Sequence, residues 1–244
     1  MVISIALLIL LPLVAFFYAA VGHGGASGYL ALMALFSFPV ADMRSTALLL
    51  NIFVSGASFF YFRRNGFFSP KLFVPFAIGS VPASFFGGMV GLDPTIYKQV
   101  LGVFLIIAVL RILGVFGTPE DSRQKEVVQW LAVLIGVSIG LFSGMIGIGG
   151  GIILSPVILL LGWGGVKETA AVSALFILVN SISGMAGIVY TGSFPSLTSW
   201  ILVGFAVIGG ALGGYFGSVK ISGDRIKYVL GVVLILASFK LIWM

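Results

Sequence analysis

Ten apolar stretches fill this chain, at roughly residues 3–21, 29–40, 46–62, 72–91, 98–116, 127–146, 152–163, 169–190, 197–217 and 226–243. A helix needs about 20 residues to cross ~30 Å of hydrocarbon, and eight of the ten stretches are about that long. The second and seventh are only about a dozen residues each, and each follows a glycine cluster. With 60% hydrophobic and 8% charged residues and a mean hydropathy of +1.22, the chain has too little polar surface for a water-soluble globule of 244 residues. The expected fold class is therefore an all-α polytopic membrane protein. The first stretch lacks a basic leading segment and a small-residue cleavage site in a polar context, so it reads as a retained helix and not a cleaved signal.

The stretches divide five and five about the one long hydrophilic run, residues 117–126. Residues 1–116 are predicted to form a first transmembrane repeat, 117–126 a polar cytoplasmic linker and 127–244 a second repeat. The halves share details: Ser45-Thr46-Ala47-Leu48 before Asn51 parallels Ser173-Ala174-Leu175 before Asn180, Gly56 parallels Gly184, and Gly87-Gly88 parallels Gly213-Gly214. Basic residues gather at Arg63, Arg64 and Lys71, at Arg123 and Lys125, and at Lys220, Arg225 and Lys227, and the positive-inside rule puts all three groups in the cytoplasm. The seventh stretch must then cross the membrane together with its glycine cluster, since only an even number of crossings joins the linker to the Lys220 loop. A twelve-residue helix covers ~18 Å, which leaves the remainder to non-helical backbone. Five crossings per half make the repeats inverted, with both termini outside.

Backbone without regular hydrogen bonding is tolerated at membrane depth only inside protein or beside an aqueous cavity. The clusters Gly22-His23-Gly24-Gly25-Ala26-Ser27-Gly28 and Gly144-Met145-Ile146-Gly147-Ile148-Gly149-Gly150-Gly151 are therefore expected to face inward. A short helix starting after each would turn its free N–H groups toward the midplane, where a small anion can bind. The expected substrate contacts are His23, Gly24, Gly25 and Ser27 from the first cluster and Gly149, Gly150 and Gly151 from the second. The alternative for these glycines is close helix packing.

Other polar residues in the spans extend the candidate site. Asn51 and Asn180 recur in both halves and are expected to face the bundle interior, as substrate contacts or as interhelical glue. Ser45, Thr46, Ser173, Ser181 and Ser183 can complete a polar lining. Arg44 either pairs with Asp42 at the surface or guides anions toward Ser45 and Thr46. His23, with an unperturbed pKa of ~6.5, either serves the substrate or a coupled proton, or donates to a backbone carbonyl. Glu168 is placed to cap a helix N-terminus. Arg111 is expected to snorkel. Trp130, Trp163, Trp200 and Trp243 are expected in an aromatic belt.

The glycine-rich motif with Pro156 downstream, the Ser/Thr at the start of the following helix, Asn51 and Asn180, and the duplicated layout together resemble the TauE/SafE sulfite exporter family. The resemblance covers essentially the whole chain and is more specific in the second half. His23 and Ala26 interrupt the first glycine run, Ala31 stands where a proline would match Pro156, and Ala171-Val172-Ser173 replaces a Gly/Ala-Thr-Ser pattern. What the resemblance implies is a secondary transporter that exports small sulfur-containing or organic anions, such as sulfite or sulfonates, across a bacterial inner membrane. Coupling to protons or another ion, and a homodimeric assembly, stay open, as does a passive anion channel or a carrier importing another anion.

Other classes find little support. The spans hold no carboxylate pair, histidine cluster or Ser-His-Asp set for acid-base, metal or acyl chemistry, so no enzyme activity and no metal or other cofactor is expected. With no cysteine there is no thiolate nucleophile or cysteine-based metal site. The formal charge of +6 sits in short loops between apolar runs, and no nucleic-acid partner is inferred from it. The partners expected are the bilayer and a small anion.

Overall fold

The computed structural model describes residues 4–112, 125–219 and 239. Its regular structure there is helical: α1 Ile5–Ala20, α2 Ala26–Leu35, α3 Val40–Arg64, α4 Pro70–Met89, α5 Pro94–Ile112, α6 Gln129–Ile146, α7 Gly151–Leu161, α8 Val166–Tyr190 and α9 Leu197–Val219. Each matches an apolar stretch, because a membrane helix satisfies its own backbone and needs only an apolar outer face. The tenth stretch, most of the linker and Trp243 lie outside the described residues. α3, α4, α6, α8 and α9 are each long and apolar enough to cross a membrane. Ile78, Phe86, Leu134, Ile208 and Leu212 are exposed on their outer faces, as lipid contact requires.

Glycine and serine stripes set the packing. Side chains added at Gly209, Gly213 and Gly217 of α9 would strike the carbonyls of Pro12, Phe16 and Ala20 of α1. Contact points that advance together along both chains mean that α1 and α9 run parallel. Gly210 and Gly214 lie likewise against Val54 and Ser58, so α3 is parallel to α9 too. The second group repeats the scheme. Gly136, Gly140 and Gly144 of α6 meet Phe76, Ser80 and Ser84 of α4. Ser183 of α8 donates to the Val81 carbonyl at 2.5 Å, while Gly187 sits on the Phe85 carbonyl. Such close approach of backbones is how helices associate where lipid removes the hydrophobic drive between them.

Since α1 and α3 point the same way, α2 must carry the chain back between them. α7 does the same between α6 and α8. The return is explicit in the second case: Lys125 N–H, just before α6, donates to the Gly162 carbonyl at the end of α7 at 2.7 Å. α6 and α7 thus form a helical hairpin whose open ends meet and whose bend is the glycine cluster.

The two groups face each other through α3 and α8, which run antiparallel. Leu48 approaches Gly184, Gly56 lies 3.8 Å from Leu178, and Phe62 packs with Ala170 and Ala171. Both helices are 25 residues long. Superposed from Val40 and Val166, they match Asn51 with Ile177 and Ser45 with Ala171. In that superposition Asn51 does not fall on Asn180, nor Ser45 on Ser173. At the Gly87-Gly88 and Gly213-Gly214 pairs, Gly87 and Gly213 meet the carbonyls of Leu141 and Phe16, and Gly88 and Gly214 meet Gly184 and Ser58.

Candidate functional site

The glycine clusters are built alike. Gly22 and Gly147 have φ of +77° and +88°, and Gly25 and Gly150 cap α2 and α7 with φ of +96° and +79°. These last two hold the backbone in a left-handed turn at no steric cost. Neither cap supplies a side-chain hydrogen bond, so the first-turn N–H groups of two helices of ten and eleven residues keep their positive dipole ends unmasked. α2 begins at Ala26, three residues before the apolar stretch, because Ala26-Ser27-Gly28 forms its first turn.

Both clusters converge on one point of the α3–α8 crossing. A Cβ at Gly24 would strike Asn51 Oδ1 and, at 2.8 Å, the Ile177 side chain. A Cβ at Gly149 would lie 2.6 Å from Asn51 Nδ2, 2.8 Å from Ile177 and 3.2 Å from Ser181 Oγ, and one at Gly151 would meet Ile177 again. Only glycine admits this approach. Asn51, Ser181 and Ile177 are buried, Asn51 at 0% exposure. Both amide atoms of Asn51, the Ser181 hydroxyl, the Ser143 hydroxyl beside Gly150, and the Tyr29 hydroxyl over Gly25 have no hydrogen-bond partner. A buried polar group left unpaired costs about 1–3 kcal/mol. Asn51 and Ser181, met together by Gly149, form a small cluster of neutral donors and acceptors where the two glycine turns meet.

A second polar chain joins the two glycine clusters' helices. His23 Nδ1 donates to the Val21 carbonyl at 2.9 Å, which leaves Nε2 of a neutral ring to accept from Ser155 Oγ at 3.1 Å. Ser155 is in turn 2.8 Å from Ser173 Oγ. The ring donates to a backbone carbonyl and so holds its own turn, and it also reaches α7 and, through Ser155, α8.

Other sequence-chosen residues are engaged elsewhere. Arg44 donates to the carbonyls of Val90, at 2.6 Å, and Gly88, so its guanidinium covers the negative end of α4 and not Asp42. Ser45 donates to the Asp42 carbonyl at 3.2 Å, and Thr46 pairs with Ser199 of α9 at 2.7 Å. The Ser27 hydroxyl is 2.8 Å from that of Tyr18. Asn180 Nδ2 donates to the Phe176 carbonyl at 2.8 Å, while its Oδ1 is unpartnered. Glu168 accepts from the Gly165 N–H at 3.4 Å as a cap. Trp130 and Trp200 are exposed as an aromatic belt demands, whereas Trp163 is buried at 6% exposure against Phe76. Tyr29, Ser143 and Ser155 escaped the sequence reading. Tyr29 was detectable as the residue one helical turn after Gly25, but lone hydroxyls in apolar helices carry no periodic signal.

Comparison with known proteins finds membrane transporters. A family model described as sulfite exporter TauE/SafE matches residues 7–241. A probable membrane transporter protein of Sinorhizobium fredii is 35% identical over 98% of this chain and 98% of its own. Another from Bacillus subtilis is 26% identical over 81% of this chain and 79% of its own. A third, from Methanocaldococcus jannaschii, is 26% identical over 67% and 65%. No solved structure matches the chain.

Proposed function

Because the chain belongs to the TauE/SafE sulfite exporter family of membrane transporters, we propose that it is a secondary carrier exporting a small sulfur-containing or organic anion, sulfite or a sulfonate. The anion binds between the two glycine breaks, with Asn51 and Ser181 as neutral donors and the first turns of α2 and α7 as the positive field. The carrying observation is the Asn51 amide, at 0% exposure and without a partner, between Gly24 and Gly149. A polar group with no structural partner in a membrane interior signals a ligand pathway.

Burial of the site at the α3–α8 crossing is what an occluded carrier needs, and alternating access would open it to one side at a time. The antiparallel course of α3 and α8 supports inverted repeats, residues 1–116 and 127–244 joined by the linker. The C-terminal turn of α3 with Arg63 and Arg64, and Lys125 beside Gly162, fit one cytoplasmic face, with both termini outside a bacterial inner membrane. His23 is the candidate for proton coupling.

Flux through purified protein in liposomes tests the reading. Saturable uptake of sulfite or a sulfonate, driven by an ion gradient, is expected. Conductance at channel rates would replace the carrier with a passive anion channel.

A further inference from the structure

The two glycine turns match in backbone, but the residues they rest on do not match in chemistry. Superposing α3 on α8 from Val40 and Val166 puts Arg44 on Ala170, as it puts Asn51 on Ile177. The turns meet these residues at equivalent points. A Cβ at Gly147 would lie 2.9 Å from the Arg44 carbonyl oxygen and 3.2 Å from its Cγ, and one at Gly22 would strike the backbone and Cβ of Ala170. Seven residues make two helical turns, ~10.5 Å, so Arg44 stands two turns from Asn51 on one face of α3, and Ala170 two turns from Ile177 on one face of α8. Because α3 and α8 are antiparallel, Arg44 and Ala170 bracket the crossing from opposite ends.

The two ends are closed by different means. At the α8 N-terminal end Phe62 packs on Ala170 and Ala171 with Phe67 and Phe68 against them, and the Lys167 ammonium lies 4.7 Å from the centre of the Phe67 ring. That end is an aromatic seal. At the α3 N-terminal end Arg44 reaches across to the last turn of α4 and donates to the carbonyls of Gly88 and of Val90, the latter at 2.6 Å. Carbonyls at a helix end have no helical N–H to serve them, and a cation there meets the negative end of the dipole. α3 packs in one group of helices and α4 in the other, so these bonds tie the two groups together. The Nε–H of the same guanidinium is buried without an acceptor. Its desolvation weakens the contact, as a link that has to open and reclose requires.

We infer that Arg44 is the latch of the gate at the α3 N-terminal end, the outer end in the orientation proposed above. Closed, it ties α3 to α4 over the path that leads to Asn51. When α3 moves against α8, the guanidinium leaves the α4 carbonyls and that path opens. Arg44 is thus a positioning residue of the transport cycle and not a substrate contact. Losing it weakens one gate and leaves the aromatic seal at the other end intact. The inference rests on the alternating-access carrier proposed above and adds to it the residue that holds one gate shut.

The chain has no cysteine, so a single introduced thiol can report on each path. Leu48→Cys lies one turn from Arg44 toward Asn51, and Ala174→Cys is its counterpart on α8, one turn from Ala170 toward Ile177; both positions are buried. Each reporter is labelled with a membrane-impermeant maleimide, added to one side of oriented vesicles at a time, with and without Arg44→Gln. Leu48→Cys should label about tenfold faster or more from the α3 N-terminal side, the population shift that loss of one hydrogen bond to a charged group corresponds to. Ala174→Cys should label no faster from the opposite side. Arg44→Lys, which keeps the charge but not the planar fork, should fall between, and it keeps the test available where the glutamine variant fails to insert. Unchanged labelling of Leu48→Cys in both variants overturns the inference, as does faster labelling of both reporters, the mark of a loosened bundle. Sulfite uptake by the two single-cysteine parents in liposomes separates the two levels. Saturable uptake with labelling indifferent to Arg44 removes only the latch, whereas channel-like flux with labelling released on one side removes the carrier and keeps Arg44 as the holder of a gate.

Discussion

Asn51 is the residue at which structural and functional explanations part most cleanly. Interhelical glue would have its amide bonded across to a neighbouring helix; here neither amide atom has a partner. Asn51→Leu, which keeps the branching at Cγ, should therefore lower anion flux by an order of magnitude or more. It should leave thermal stability in detergent unchanged, or raise it by up to about 1–3 kcal/mol as the unpaired amide is removed. A large fall in melting temperature would instead show that the amide supports the fold. The glycines permit a similar separation. Gly150→Val adds a β-branched side chain at positive φ against Ile139 and Phe176 and should abolish flux in protein that still inserts. Gly192, also at positive φ but with nothing within 4 Å, should tolerate alanine at the left-handed cost alone, about 1–2 kcal/mol, with flux retained. At His23, the neutral ring accepts from Ser155 through Nε2; a proton on that nitrogen would turn it into a donor and force Ser155 to reorient. His23→Gln and Ser155→Ala should both flatten the pH dependence of flux. An unchanged profile in both variants assigns His23 to the turn alone.

At the scale of elements, the glycine stripes hold the helices in two parallel groups, and the duplication supplies its own control. Gly213→Ala drives a methyl into the Phe16 carbonyl, and Gly87→Ala drives one into Leu141. The matched contacts should cost about the same, roughly 1–3 kcal/mol each, read as the fall in melting temperature of the purified protein. Each should reduce insertion more than substrate preference. The helices themselves were legible in the sequence because apolar run length is the quantity a bilayer selects, and the glycine breaks because backbone freedom has a residue-level signature. The register between halves was not. Identity matched Asn51 with Asn180, whereas the helix starts after Pro39 and Gly165 fix the match as Asn51 with Ile177. Charge was misread for a related reason. Arg44 sits two residues from Asp42 in sequence, but its partner is the carbonyl end of α4, which is near only after folding. Ser143 and Ser155 were invisible because their importance comes from what they lack or meet across the bundle.

At the scale of the molecule, the sequence halves and the packing groups do not coincide. α9 of the second half packs with α1 and α3 of the first, and α4 of the first half packs with α6 and α8 of the second. A rocking motion of residues 1–116 against 127–244 would therefore tear the glycine-stripe contacts within both groups. Motion between the group α1–α3–α9 and the group α4–α6–α8 would keep those contacts and slide α3 against α8, where Asn51 and Ile177 lie. The chain has no cysteine, so introduced pairs report on this directly. Gly56→Cys with Leu178→Cys spans the α3–α8 crossing, where the Gly56 Cβ position is 3.8 Å from the Leu178 side chain. Phe16→Cys with Phe216→Cys spans α1 and α9, whose rings stand 6.3 Å apart. A short, reversible thiol cross-linker should stop uptake in the first pair, with recovery on reduction, and leave most of it in the second. Loss of uptake in the second pair would mean that α1 and α9 separate during the cycle, returning the moving units to the sequence halves. Full uptake in a cross-linked first pair would mean that the α3–α8 crossing is a fixed axis and that the short helices α2 and α7 alone provide the gates.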